Sequence, residues 1–255
     1  MSDISRPETP SEQERNRSQA AMFQAQAAKF AAEALALTVE QKRGEAYLIS
    51  ARAEAEKDVI GLHVVQRSER KELAKNEHHH LYMFAQAVGD ATAAECMLRL
   101  TEWMRNDPKC DIEIVFNSPG GSVVAGLALW DFIQTVRAEG HKVTTSTIGY
   151  AASMAGILLQ AGDTRVMGKQ SWLLIHEASF QAAGKIGEVE DTVDWIKRVC
   201  NRIVDIFIER CQGADPKTAK HPLTKRRLVT NWTRKDWWID ADQALDWGLV
   251  DEIRG

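Results

Sequence analysis

From residue 81 onward, short apolar runs alternate with longer segments of helical spacing, and this alternation constrains the fold more than any other feature of the chain. Leu81-Tyr82-Met83-Phe84 and residues 111–116, 143–148 and 171–176 are rich in aliphatic and aromatic types and read as strands. Residues 91–105 and 123–139 read as helices. Thr92 is placed to cap the first, and Pro108 lies just past its end. The apolar, small-residue segment 151–161 reads as a buried helix. Strands alternating with helices imply an α/β domain over residues 78–255.

The segment before that domain has a different composition. The first 11 residues are polar and are expected to be disordered. Residues 12–58 are dominated by Ala, Glu, Gln, Lys and Arg, with no proline and only Gly44 as a breaker, so a helical extension of one or two long helices is expected over residues 12–65. The polar stretch 66–77 reads as a linker. Met22, Phe23, Phe30, Leu35, Leu37 and Leu48 are too irregular for a heptad repeat, which leaves a solvated arm or a partner-binding helix open. A second long helix is marked by Ile186, Val189, Val193, Ile196, Cys200, Ile203 and Phe207, spaced by three and four. That seam fits packing on the domain's own core or contact with another subunit.

A net charge of −4, with 27% charged residues, argues against a nucleic-acid binder. The four cysteines, Cys96, Cys110, Cys200 and Cys211, are dispersed without a C-x-x-C pair, so no disulfide framework or zinc motif is indicated and a reducing compartment fits. The N-terminus lacks the apolar core of a signal peptide, and no apolar run could span a bilayer. The expected setting is soluble and cytoplasmic, with no membrane and no nucleic-acid partner. His78-His79-His80 cannot all point one way along a strand, so the run reads as a polar strand start and not a chelating set. Trp232, Trp237, Trp238 and Trp247 read as core or interface filler, with a substrate wall as the lesser alternative.

Three features could carry chemistry. Asn117-Ser118-Pro119-Gly120-Gly121-Ser122 follows a buried strand, and paired glycines let a turn expose its N–H groups to an oxyanion. Ser153, in Gly149-Tyr-Ala-Ala-Ser-Met-Ala155, sits at a helix start, where backbone N–H groups and the helix dipole favour developing negative charge. The same position suits an ordinary capping serine. His176 ends a strand, where most histidines are structural. Their occurrence together in one α/β domain makes a candidate nucleophile, base and oxyanion set.

The order N-S-P-G-G, G-Y-A-A-S-M, L-L-I-H-E and A-L-D-W-G-L-V-D resembles the Clp protease proteolytic subunit over residues 78–255. The resemblance implies a ClpP/crotonase-like spiral of repeated β-β-α units assembled into rings, stacked through a handle helix at the Ile186–Phe207 seam. It places the nucleophile on Ser153, the catalytic histidine on His176 and the oxyanion amides on Gly121 and Met154. It also places Ser122, Val123, Ala178 and Ser179 on the edges that hold an extended peptide. The implied activity is serine endopeptidase, with no cofactor and no metal.

Two departures stand out. Counting back from Gly248-Leu-Val-Asp251, the family's catalytic aspartate falls on Trp232, which cannot orient an imidazolium. Asp236 is preferred over Asn231 as the replacement, against the plain alternative that Asp236 merely caps or salt-bridges the next element. The helical arm is absent from the housekeeping subunit and is similar to that of phage and prophage capsid maturation proteases. The partners implied are therefore a homo-oligomeric ring, a protein substrate, and either an AAA+ unfoldase or phage capsid and scaffold chains inside a procapsid. The rival readings are a non-catalytic ClpP-like scaffold or regulatory subunit and a crotonase-type acyl-CoA enzyme.

Overall fold

The computed structural model describes residues 10–233 and 235–255, and the chain divides into two units at Lys71/Glu72. The first is essentially one helix, α1 (Pro10–Leu73), 64 residues long and without a single buried residue. Ala, Glu, Gln, Lys and Arg carry it through Gly44 and Gly61, each of which costs only about 1 kcal/mol relative to Ala. The linker expected over residues 66–77 begins later than the sequence suggested. Residues 66–73 are the last turns of α1, because this stretch is polar but contains no Gly or Pro to stop it. Most of the N-terminal stretch expected to be disordered lies outside the described residues, and residues 10 and 11 are already helical. Phe23, Phe30, Tyr47, Leu48 and Ile60 are all exposed along α1.

The second unit carries the alternation expected of an α/β domain. In order it comprises β1 (Leu81–Phe84), α2 (Asp90–Asn106), β2 (Asp111–Ser118), α3 (Val123–Ala138), β3 (Lys142–Ala152), α4 (Met154–Leu159), β4 (Thr164–Gly168) and β5 (Trp172–Ile175). Then follow α5 (Ile186–Gln212), α6 (Lys225–Trp232), β6 (Trp237–Asp240), α7 (Ala241–Asp246) and β7 (Glu252–Arg254). The main sheet runs β1-β2-β3-β4-β7, all parallel. Short helical crossovers enforce this, since parallel neighbours cannot be joined by a tight hairpin.

β3 is the element that shapes the molecule. Its first part, Thr144–Thr147, pairs with β4, and its last part, Tyr150–Ala152, pairs with β5. The partner changes around Gly149, which stands at φ +71° with an added Cβ only 2.7 Å from Asn117 Oδ1, so only glycine fits the kink. β5 then pairs with β6 in the one antiparallel contact of the sheet. The strand therefore extends further than the sequence suggested. Ala151 and Ala152 belong to β3, and the helix read over residues 151–161 shrinks to six residues. Thr92 is likewise inside α2 rather than at its cap. Its hydroxyl accepts from Gly89 N–H at 2.9 Å and donates to Ala87 O at 2.8 Å.

Packing follows the binary pattern. Ile112, Ile114 and Phe116 of β2 lie against Leu129, Ile133 and Val136 of α3 in one core that also takes in Leu158 and Leu159. The seam on α5 is split. Ile186 is 80% exposed, while Ile203 and Phe207 are buried in the domain core. The far edge is held by charge. Arg165, 1% exposed, donates to Asp251 from its Nε (2.9 Å), to Gln160 Oε1 (2.9 Å) and to Gly248 O (2.8 Å). Burial alone would raise the Asp251 carboxyl, but the Arg165 guanidinium overrides it and holds Asp251 below the usual carboxylate range. Among the described residues, no helix is long and apolar enough to cross a membrane.

Candidate active site

The C-terminal ends of β2, β3 and β5 converge where β3 changes partners, the kind of crevice in which open α/β sheets place their ligands. Ser153 leaves β3 at φ +54°, ψ −123°, a backbone conformation rarely held by a residue with a side chain. The surroundings enforce it. Ser153 N–H donates to Leu174 O on β5 at 2.9 Å, and Ser153 O accepts from Gly156 N–H at 3.0 Å. The residue occupies the N-cap position of α4, yet its hydroxyl makes no capping hydrogen bond. The ordinary reading of Ser153 as a helix cap therefore does not describe it.

The glycine turn is built around this elbow. Gly120 stands at φ +82°, and an added Cβ would lie 2.4 Å from Ala152 O and 2.7 Å from both Met154 N and Ser153 Cβ. No other residue fits so close to the serine. Gly121 forms an isolated parallel bridge with Val88. Val88 N–H donates to Gly120 O and Val88 O accepts from Ser122 N–H, both at 2.8 Å. Because Val88 bonds to the residues flanking Gly121, the N–H and C=O of Gly121 face the other way, toward the crevice. The Met154 amide is the first of α4 and has no partner within the helix.

The position of His176 follows from strand register. Ala152 pairs with Leu174 in the parallel contact, so His176 emerges one residue beyond the neighbour of Ser153. In the antiparallel contact Ile175 pairs with Trp237, so the next pair along the ladder is His176 with Asp236. Their side chains meet with Nδ1 and Oδ1 3.8 Å apart, beyond hydrogen-bond length, and the Asp236 side chain is 70% exposed.

Ser153, His176, Gly121, Met154, Val123, Ala178 and Ser179 all line one small cavity of about 50 Å³, floored by Ile203 and Phe207 of α5. Ser122 does not line it. Its hydroxyl accepts from Ala125 N–H and caps α3. Trp232, 5% exposed, closes the cavity and also lines an adjoining groove of about 750 Å³ between α5, α6 and residues 177–180. In that groove, burial together with Glu177 holds the Cys200 thiol above its ordinary value, against a hydrogen bond with the Ala178 backbone, so it is not an activated nucleophile. Asn231, the other candidate for the third residue, bonds back along its own helix to Arg227 O.

The sequence model of the Clp protease family matches residues 70–255. The chain belongs to the Clp protease family. It is 31% identical over 201 residues to the ATP-dependent Clp protease proteolytic subunit 2 of Chlamydia pneumoniae, an alignment covering 75% of this chain and 91% of that protein. A Clp protease is a peptidase, and its ClpP-like α/β fold with an N-terminal helix is what the sequence led one to expect. The match begins within the last turn of α1 and leaves the greater part of the arm outside it.

Two residues of this Clp protease's crevice carry more than the sequence showed. Gly120 is visible there only as half of a glycine pair. Trp232 reads first as filler and second as a substrate wall, and it is buried as a wall of the crevice.

Proposed function

We propose that the chain is a serine endopeptidase in which Ser153 is the nucleophile, His176 the general base and Asp236 the group that orients the imidazole. The observation that carries this reading is the register of β5, which brings His176 beside Ser153 on one side and opposite Asp236 on the other. His176 takes the Ser153 proton as Oγ attacks a peptide carbonyl. The amides of Gly121 and Met154 stabilise the oxyanion, and His176 returns the proton to the leaving amine. Water then releases the acyl-enzyme by the same route. The adjoining groove along residues 177–180 is suited to an extended peptide, which would pair its backbone with the exposed edge and be read loosely in sequence.

A fluorophosphonate probe tests the reading. Wild-type protein is expected to label, and Ser153→Ala and His176→Ala are expected to abolish labelling while keeping the wild-type melting temperature. Labelling that persists in Ser153→Ala overturns the assignment of the nucleophile. Acyl-CoA turnover in that variant would indicate the crotonase-type reading instead.

The assembly is a homo-oligomeric ring, and the exposed first half of α5 is the surface through which rings would stack. Analytical ultracentrifugation of Ile186→Glu, whose side chain lies off the core, would separate stacked from single rings. The biological role follows the arm. An exposed 64-residue helix with aromatic residues along it supports binding to capsid or scaffold chains, as in a phage maturation protease, more than service to an unfoldase.

A further inference from the structure

The opposite end of the sheet carries a second cluster of chemically capable side chains. β2 and β3 start in register and β1 joins two residues further along, with Leu81 opposite Glu113; the residue immediately before each strand is His80, Cys110 or His141. The register Asp111↔Lys142 puts Cys110 and His141 next to each other, with Cys110 Sγ 3.5 Å from His141 Nδ1. A fourth group arrives through a tight turn. Cys110 N–H bonds back to Asp107 O at 3.2 Å, with Pro108 second in the turn and Lys109 third at φ +64°, the pattern of a type II turn. This folds the Asp107 carboxylate and the Cys110 thiol onto the same side.

His80 completes the set. Its Nε2 lies 3.7 Å from Asp107 Oδ2, and the ligand atoms of His80, Asp107 and Cys110 all lie within 4.8 Å of one another. The imidazole is held edge-on to Trp103, with ring centroids 5.5 Å apart, so its direction is set by packing. Ligand atoms around a tetrahedral zinc stand roughly 3.3–3.7 Å apart, given metal–ligand bonds of about 2.0–2.3 Å. The 3.7 Å between His80 Nε2 and Asp107 Oδ2 already falls at the edge of that range.

We propose that His80 Nε2, the Asp107 carboxylate and Cys110 Sγ bind one zinc ion, with water as the fourth ligand. Nitrogen, oxygen and sulfur donors in a tetrahedral arrangement suit zinc better than magnesium or calcium, which prefer six or more oxygens. Cys110 binds as the thiolate, and its proton leaves to solvent. His141 is a positioning residue. It is 5% exposed, and its Nδ1 lies 3.2 Å from Cys110 O, where it can hydrogen-bond to the cysteine and orient it. The ion would fasten the segment ahead of β1 to the α2–β2 turn. It lies at the N-terminal ends of the strands, away from the Ser153 crevice, so it has no part in peptide hydrolysis.

The test is titration of chelator-treated full-length protein with cobalt(II), then zinc displacement. One equivalent of cobalt is expected, with the visible bands of a four-coordinate ion and a near-ultraviolet thiolate-to-cobalt band. Cys110→Ser should abolish the thiolate band. His141→Gln should weaken zinc binding by roughly 10–100-fold, and His80→Ala by more. The double variant His78→Ala/His79→Ala, which removes the adjacent histidines, should bind like wild type. A wild-type spectrum without a thiolate band overturns the proposal, as does a thiolate band surviving in Cys110→Ser. So does loss of binding in the His78/His79 double variant with retention in His80→Ala. His80→Ala keeps the test decisive if Cys110→Ser does not fold, and the circular-dichroism melting curve reports folding in every variant.

Discussion

Replacing Asp236 with asparagine should reduce peptidase activity far less than loss of the equivalent residue does in a protease with a buried triad. The side chains of His176 and Asp236 stand 3.8 Å apart, and the carboxylate is 70% exposed. At that distance the attraction between imidazolium and carboxylate is about 1 kcal/mol in bulk water, and with the carboxylate this exposed, solvent screening keeps it to about 1–2 kcal/mol. Each 1.36 kcal/mol is tenfold in rate, so Asp236→Asn should lower kcat/KM by roughly 5–30-fold. A buried, hydrogen-bonded aspartate of a serine protease triad contributes about 10⁴-fold. The assay is hydrolysis of a fluorogenic peptide, with the fluorophosphonate labelling rate as an independent measure. An effect below about twofold would mean that Asp236 does not orient His176 and only leads into β6. A loss near 10⁴-fold would refute the solvent-exposed pair and require that the residue be buried in the working assembly.

Four further outcomes rest on particular contacts. Gly120→Ala should cut labelling by about 100-fold or more, because its Cβ would displace the Ser153 elbow, and misplacement of about 1 Å carries that cost; labelling at the wild-type rate would disprove the close approach. Trp232→Phe should retain the fold and shift peptide preference toward bulkier side chains, by roughly tenfold in relative kcat/KM across a peptide panel. Asp251 and Asp163 are both held below the usual carboxylate range, where burial opposes and Arg165 and Arg137, respectively, prevail. Their stabilisation is complete above the unfolded value near 3.9 and is lost as pH falls through the depressed folded values. Thermal melts should thus be level from pH 7 to about 5 and fall below about 4. Arg165→Met, which leaves the partly exposed Asp251 carboxylate without its guanidinium partner, should cost less than the roughly 3–5 kcal/mol of a fully buried pair and should flatten that acid step.

How much was legible in the sequence differs from residue to residue. The strands at Leu81–Phe84 and Trp172–Ile175 were readable because short runs of aliphatic and aromatic residues favour extended backbone. The end of β3 was not. Ala151 and Ala152 have helical propensity, and they extend a strand only because β5 offers them a ladder. The reach of α1 to Leu73 does not show in composition, because residues 66–73 are as polar as a linker although nothing in them breaks a helix.

The sequence by itself determined that there would be an alternating α/β domain behind a long helix, and it marked Ser153, His176 and the glycine turn. Those features rest on local chemistry: propensity, periodicity and the freedom of glycine. Only the tertiary structure decided what stands beside what. Asp236 faces His176 because two strands run antiparallel in one register, and a slip of one residue would send Asp236 to the other face. A local turn joins Asp107 to Cys110, but His80 reaches them only because β1 pairs with β2. Such juxtapositions depend on pairing between distant segments, which no local pattern encodes.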